Sequence, residues 1–125
     1  MDHEWANISD AEWAVLEALW AAERATASEL AAALRQSRGW ARTTVKTMLD
    51  RMAAKGLVSG RRVGNTVEYS PALEAAEARR SAWRRFVDAA FGGSMAPALE
   101  FLATDAKLTA RQREVLRRRL EETRP

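Results

Sequence analysis

Thr43, Thr44, Lys46 and Thr47 place three hydroxyls and one ammonium within five consecutive positions, between Arg42 and Arg51. These groups suit the reading of base edges in a duplex. A threonine hydroxyl bonds donors or acceptors, its methyl can touch a thymine methyl, and a lysine reaches guanine O6 and N7. Arg42 and Arg51 suit phosphates, which fix register without reading sequence. Ser28, in the first turn of the preceding helix-like segment, can offer its hydroxyl and nearby amides to a phosphate. Helix-start chemistry alone also accounts for it. Arg61 and Arg62 fit a narrow minor groove or its flanking phosphates, or the protection of an edge strand by charge. Alternation along a strand turns their side chains to opposite faces, so one of the two would meet DNA. The sequence does not choose between them.

The charge is segregated around these residues. From Arg35 to Arg62 eight Lys or Arg face one acid, Asp50, for a net +7. The first 34 residues carry seven acids against Arg24, a net −6, and Val63 to Pro125 adds +2, which gives the total of +3. A concentrated basic block is the electrostatic footprint of a nucleic-acid surface.

Other chemistries find little support. The chain has no cysteine and one histidine, His3, and it carries no glycine-rich phosphate loop or metal-spaced cluster. An enzyme is therefore not expected, and neither a cofactor nor a metal is. Met1-Asp2-His3 does match an amino-terminal copper or nickel pattern, in which the amine, two amides and the imidazole form a square plane. An accident of the start is the better reading. The cysteine-free composition fits a cytoplasmic protein. MDHEWANISDAEW lacks the basic and apolar regions of a secretory signal. No apolar run approaches the ~20 residues of a membrane span, so no membrane insertion is expected.

The spacing of apolar residues supplies the elements that must position the basic block. Ser9-Asp10-Ala11-Glu12 and Thr26-Ala27-Ser28-Glu29 both fit the capping box. They open a helix to about Ala22, with Trp13, Leu16, Leu19 and Trp20 inward, and a second from Ala27 to about Gln36, with Leu30 and Leu34 inward. A third helix spans about Arg42 to Lys55. Val45, Met48, Leu49 and Met52 form its buried stripe, leaving Thr43, Thr47, Asp50 and Ala54 on the opposite face. Trp40, just before it, can pack under the turn or touch the DNA backbone, and core packing is the better reading. Leu57–Arg62 and Thr66–Tyr69 read as strands joined by the turn Val63-Gly64-Asn65, a hairpin wing. Three more helices follow: about Ala72 to Phe91, Met95 to Ala103, and from Thr109 to Glu122. The charges of Arg117, Arg118 and Arg119, with Glu114, Glu121 and Glu122, read as a solvated face.

The fold class is mainly α, with α+β character from the hairpin. Residues 1–71 form a winged helix-turn-helix domain and residues 72–125 a helical dimerisation region. The last 55 residues are too few for a core of their own. Trp83, Phe86, Val87, Ala90 and Phe91, with Leu99, Leu102, Val115, Leu116 and Leu120, are best buried against a second copy. Two recognition helices would then face a palindrome, ~34 Å apart.

ISDAEWAVLEALW, TASELAAAL, TTVKTMLDRMAAKGLV, the wing ending in Tyr69-Ser70-Pro71, and FVDAAFGGSM together resemble the penicillinase-repressor (BlaI/MecI) family, from about Ile8 to Glu122. The resemblance implies a dimeric cytoplasmic repressor on a palindromic operator, controlling a regulon of the antibiotic-response, β-lactam type. In the β-lactam branch of that family a membrane sensor with a zinc-protease domain leads, indirectly, to repressor cleavage. The position implied here is Phe101, although Glu100 stands where those repressors carry Asn. Copper-responsive relatives carry C-terminal cysteine ligands, which this chain lacks, so that mechanism is excluded. The inducing signal does not transfer. A different class of function also fits a winged helix: a protein-interaction scaffold that docks through the acidic face of the first helix. Double-stranded RNA does not fit, because its deep narrow groove excludes a recognition helix.

Overall fold

The computed structural model describes residues 7–123; the Met1-Asp2-His3 pattern lies outside them. The order is α1 (Asp10–Ala22), β1 (Ala25–Thr26), α2 (Ala27–Ala33), α3 (Arg42–Ala54), β2 (Val58–Val63), β3 (Thr66–Pro71), α4 (Ala75–Phe91), α5 (Met95–Thr104) and α6 (Ala110–Glu122). The chain divides into two compact units, Met1–Arg85 and Phe86–Pro125, with the division inside α4.

Capping boxes form at the start of α1, α2 and α6, from Ser9, Thr26 and Thr109. Each satisfies two amide groups that a helix end would otherwise leave unpaired. Glu23 ends α1 at φ 71°, a left-handed conformation that only this non-glycine residue adopts among the described residues. Its amide bonds the Leu19 carbonyl at 2.7 Å. After α3, Gly56 takes φ 82° while its own amide and that of Leu57 reach back to Ala53 and Met52. That is the helix-ending arrangement a glycine permits most readily.

The sheet has a strand that the sequence reading lacks. β3 lies between β1 and β2, antiparallel to both, with Ala25 opposite Tyr69 and Thr26 opposite Glu68. Two residues carry no periodicity, so β1 exists only because β3 offers it an edge. β2 and β3 form the expected wing, with Arg61 opposite Glu68 and Arg62 opposite Val67. Val63 belongs to the strand, which leaves Gly64 and Asn65 as a two-residue turn with Gly64 at φ 62°. Gly60 sits beneath Tyr69: a Cβ there would stand 3.2 Å from Tyr69 Cε1 and 3.0 Å from Val67 Cγ1.

The core of the first unit gathers Leu16 and Leu19 from α1, Leu30 from α2, Val45, Leu49 and Met52 from α3, and Tyr69 from β3. Val15 joins them, a residue the periodicity reading passed over. Trp13, Trp20, Trp40 and Met48 pack against this core while remaining partly exposed. The two α1 tryptophans keep their rings 6.0 Å apart, and Trp20 Nε1 donates to the Leu73 carbonyl at 3.0 Å. A large indole with one polar edge is best served at such a boundary. The second helix is shorter than expected, ending at Ala33, and the long one begins at Ala75 rather than Ala72.

Candidate nucleic-acid interface

Burial divides α3 into two faces. Val45, Leu49 and Met52 are fully buried, while Thr43, Thr44, Thr47, Asp50 and Arg51 are exposed and Lys46 is half-covered. The buried residues pin the helix to the core, so the polar face is held in a fixed orientation. Thr43, Thr44 and Thr47 keep its beginning slim, which lets a helix approach base edges.

Within that face Lys46, Thr47 and Asp50 are already partnered. Lys46 Nζ lies 2.8 Å from Asp50 Oδ1. The hydrogen bond to Asp50 raises the Lys46 pKa above its ordinary value, helped by the phenol of Tyr69, so the ammonium stays charged. Thr47 Oγ1 donates to the Thr43 carbonyl at 3.0 Å. That bond commits the hydroxyl proton to the backbone and turns the methyl away from it. Arg42 Nε donates to Ser28 Oγ at 2.6 Å, bringing the two phosphate candidates together from α3 and α2.

The wing distinguishes its two arginines. Arg61 pairs across the strands with Glu68, at 3.6 Å. Arg62 stands opposite Val67 and has no ion-pair partner among the described residues. Lys55, in the turn after α3, reaches both oxygens of Glu12 at 2.9 Å and the Asn7 carbonyl at 3.3 Å. Glu12 also accepts from the Ser9 amide, at 2.9 Å. Sequence reasoning saw Glu12 only as a cap. Nothing local announces its link to Lys55, whereas the Lys46–Asp50 spacing of four is visible in the sequence itself.

In the second unit, Phe86, Leu99, Leu102, Leu116 and Leu120 are exposed, as is Trp83 at the end of the first unit. Val87 differs from these residues in being only 4% exposed. Phe91 is partly covered, its ring 5.7 Å from Phe86 and 5.8 Å from Phe101. Phe101 lies within α5 and is exposed. Among the described residues no acidic, histidine or cysteine cluster could hold a metal, and no helix is long and apolar enough to cross a membrane.

The chain is similar to known repressors. It is 24% identical to the methicillin resistance regulatory protein MecI of Mammaliicoccus sciuri over 93 residues, 74% of this chain and 76% of that protein. The fold resembles the solution structure of the DNA binding domain of the repressor BlaI, with TM-score 0.53 and 27% identity over 62% of this chain and 93% of the other. It also resembles monomeric Bacillus licheniformis BlaI in complex with the blaP half-operator, with TM-score 0.51 and 27% identity over 58% of this chain and 89% of that one. The profile of the penicillinase repressor family matches residues 8–122, nearly the whole chain, and this protein therefore belongs to that family.

Proposed function

We propose that the protein is a homodimeric transcriptional repressor that binds a palindromic DNA operator. One observation carries most of this reading. The polar face of α3 is exposed and anchored from behind, inside a fold similar to a BlaI structure that holds a half-operator. On this reading α3 enters the major groove and Thr43, Thr44, Lys46 and Thr47 meet base edges. Ser28 with Arg42, and Arg51, grip phosphates on either side. Arg62 rather than Arg61 extends from the wing to the minor groove or its phosphates, because Glu68 holds Arg61.

The exposed apolar residues Phe86, Leu99, Leu102, Leu116 and Leu120 favour a second copy as partner. Family membership favours a cytoplasmic, non-enzymatic regulator of an antibiotic-response regulon. Release by proteolysis at Phe101 is part of the same proposal. Phe101 stands inside α5, so cleavage there requires that helix to open first.

The test is selection of bound duplexes from a random library at ~150 mM salt, where charge-driven non-specific binding is already weakened. A two-fold motif is expected. Recovery of nothing above background would overturn the reading and favour the protein-docking scaffold.

A further inference from the structure

Asp50 is the one acid among eight cations between Arg35 and Arg62, and it lies on the face proposed to meet DNA. A carboxylate there is repelled by every phosphate it approaches. Its presence needs a reason, and helix stability does not supply one. In the favoured order the acid precedes the lysine by four residues; here Lys46 precedes Asp50. The order also sets the positive charge nearer the helix start and the negative one nearer its end, both against the helix dipole.

The geometry of the pair suggests a reason. Lys46 Nζ and Asp50 Oδ1 are 2.8 Å apart, and both side chains are substantially exposed, at 44% and 60%. Tyr69, on β3, also favours the charged form of that ammonium. Gly60 leaves room for the ring beneath, since any Cβ there would crowd Tyr69. The pair thus presents a donor beside an acceptor on the open face of α3. Residues four apart rise ~6 Å along a helix, and base pairs stack ~3.4 Å apart, so the two heads can address neighbouring pairs. A lysine suits guanine O6 and N7, and an aspartate accepts from the cytosine N4 amino group.

We infer that Asp50 is a specificity residue, reading cytosine beside the guanine read by Lys46 and penalising sequences that offer its carboxylate no amino donor. This rests on the DNA-reading function proposed above. The penalty is the informative part. An unpaired carboxylate at the groove discriminates against wrong sequences even where contacts to the right one are modest.

The test repeats the random-duplex selection with the full chain and with Asp50→Ala, Asp50→Asn and Lys46→Ala. Asp50 is exposed, and an unchanged unfolding midpoint will confirm that the variants fold. The wild type is expected to select a cytosine and a guanine at adjacent positions of each half-site. Asp50→Ala should lose about tenfold of the discrimination at the cytosine position. It should also bind random duplex more tightly than wild type. Asp50→Asn should shift that position towards adenine, whose N6 and N7 pair with an asparagine amide. Lys46→Ala should relax only the neighbouring guanine. A motif and discrimination unchanged in Asp50→Ala would overturn the inference while leaving the repressor reading intact. A wild type that selects no motif would overturn the repressor reading, and this inference with it.

Discussion

Lys55 donates from Nζ to both carboxylate oxygens of Glu12, each at 2.9 Å, across 43 positions of chain. The contact ties the end of the proposed reading helix to the first turn of α1. Glu12 serves two purposes there, as the third residue of the Ser9 capping box and as the counter-charge of Lys55.

Glu12→Gln should separate those purposes. Glutamine also serves in a capping box, but it cannot balance the ammonium. The Glu12 side chain is 10% exposed and that of Lys55 33%. The loss should therefore fall between a surface and a buried pair, about 1–2 kcal/mol after allowing for the exposure of Lys55. Urea unfolding should show a lower midpoint at an unchanged slope. An unchanged midpoint would show that the pair contributes nothing.

The same carboxylate should make stability fall in acid. Burial pushes its pKa up, but the Lys55 and Ser9 hydrogen bonds and the Lys55 charge together outweigh that and leave it below 4.5. The folded pKa is thus lower than the unfolded one, and the unfolded chain binds the extra proton. This contribution is complete above about 4.5 and is lost as pH falls from there through the folded value. Unfolding midpoints measured down a pH series should show less acid loss in Glu12→Gln than in the wild type.

Thr47 offers a methyl more than a hydroxyl, since its proton is committed to the Thr43 carbonyl. Thr47→Val keeps the methyl and should bind the selected operator within about threefold of wild type. Thr47→Ser removes it and should cost ~1 kcal/mol at a thymine position. Competition binding against operators with that base changed will separate the two. The reverse ranking would assign the contact to the hydroxyl.

The wing arginines should behave unequally. Arg62→Ala is expected to weaken binding to all duplexes and to reduce the slope of log affinity against log salt by about one. Arg61→Ala should change the slope less, because Glu68 already holds that guanidinium. Equal slopes for the two variants would remove the distinction.

Leu120, exposed on α6, should be part of the contact between copies. Leu120→Glu is expected to raise the dimer dissociation constant at least tenfold, about 1.4 kcal/mol. Sedimentation equilibrium measures this directly. Binding to an isolated half-site should be unaffected, whereas binding to the full palindrome should weaken. A wild-type chain that sediments as a monomer at micromolar concentration would end the dimer proposal.

Much of this architecture is legible in the sequence because it is locally encoded. Ser9 with Glu12, Thr26 with Glu29 and Thr109 with Gln112 announce three helix starts, and all three capping boxes form. The stripe Val45, Leu49 and Met52 orients α3 by periodicity alone. What escapes is set by partners distant in the chain. Two residues of β1 become a strand only against Tyr69 and Glu68. The choice between Arg61 and Arg62 depends on Glu68 lying directly across the wing. Val87 is only 4% exposed while Phe86 beside it is 53% exposed, a difference that composition does not announce.

The division of labour along α3 has an evolutionary consequence. The positions that hold the helix in place, Val45, Leu49 and Met52, are not the positions that face outward, Thr43, Lys46, Thr47 and Asp50. The outward set can therefore be rewritten with little cost to folding, since exposed substitutions usually shift stability by only ~0.5 kcal/mol. A lineage carrying this scaffold can drift from one operator to another without passing through an unfolded intermediate. A protein engineer can change the same four letters for the same reason.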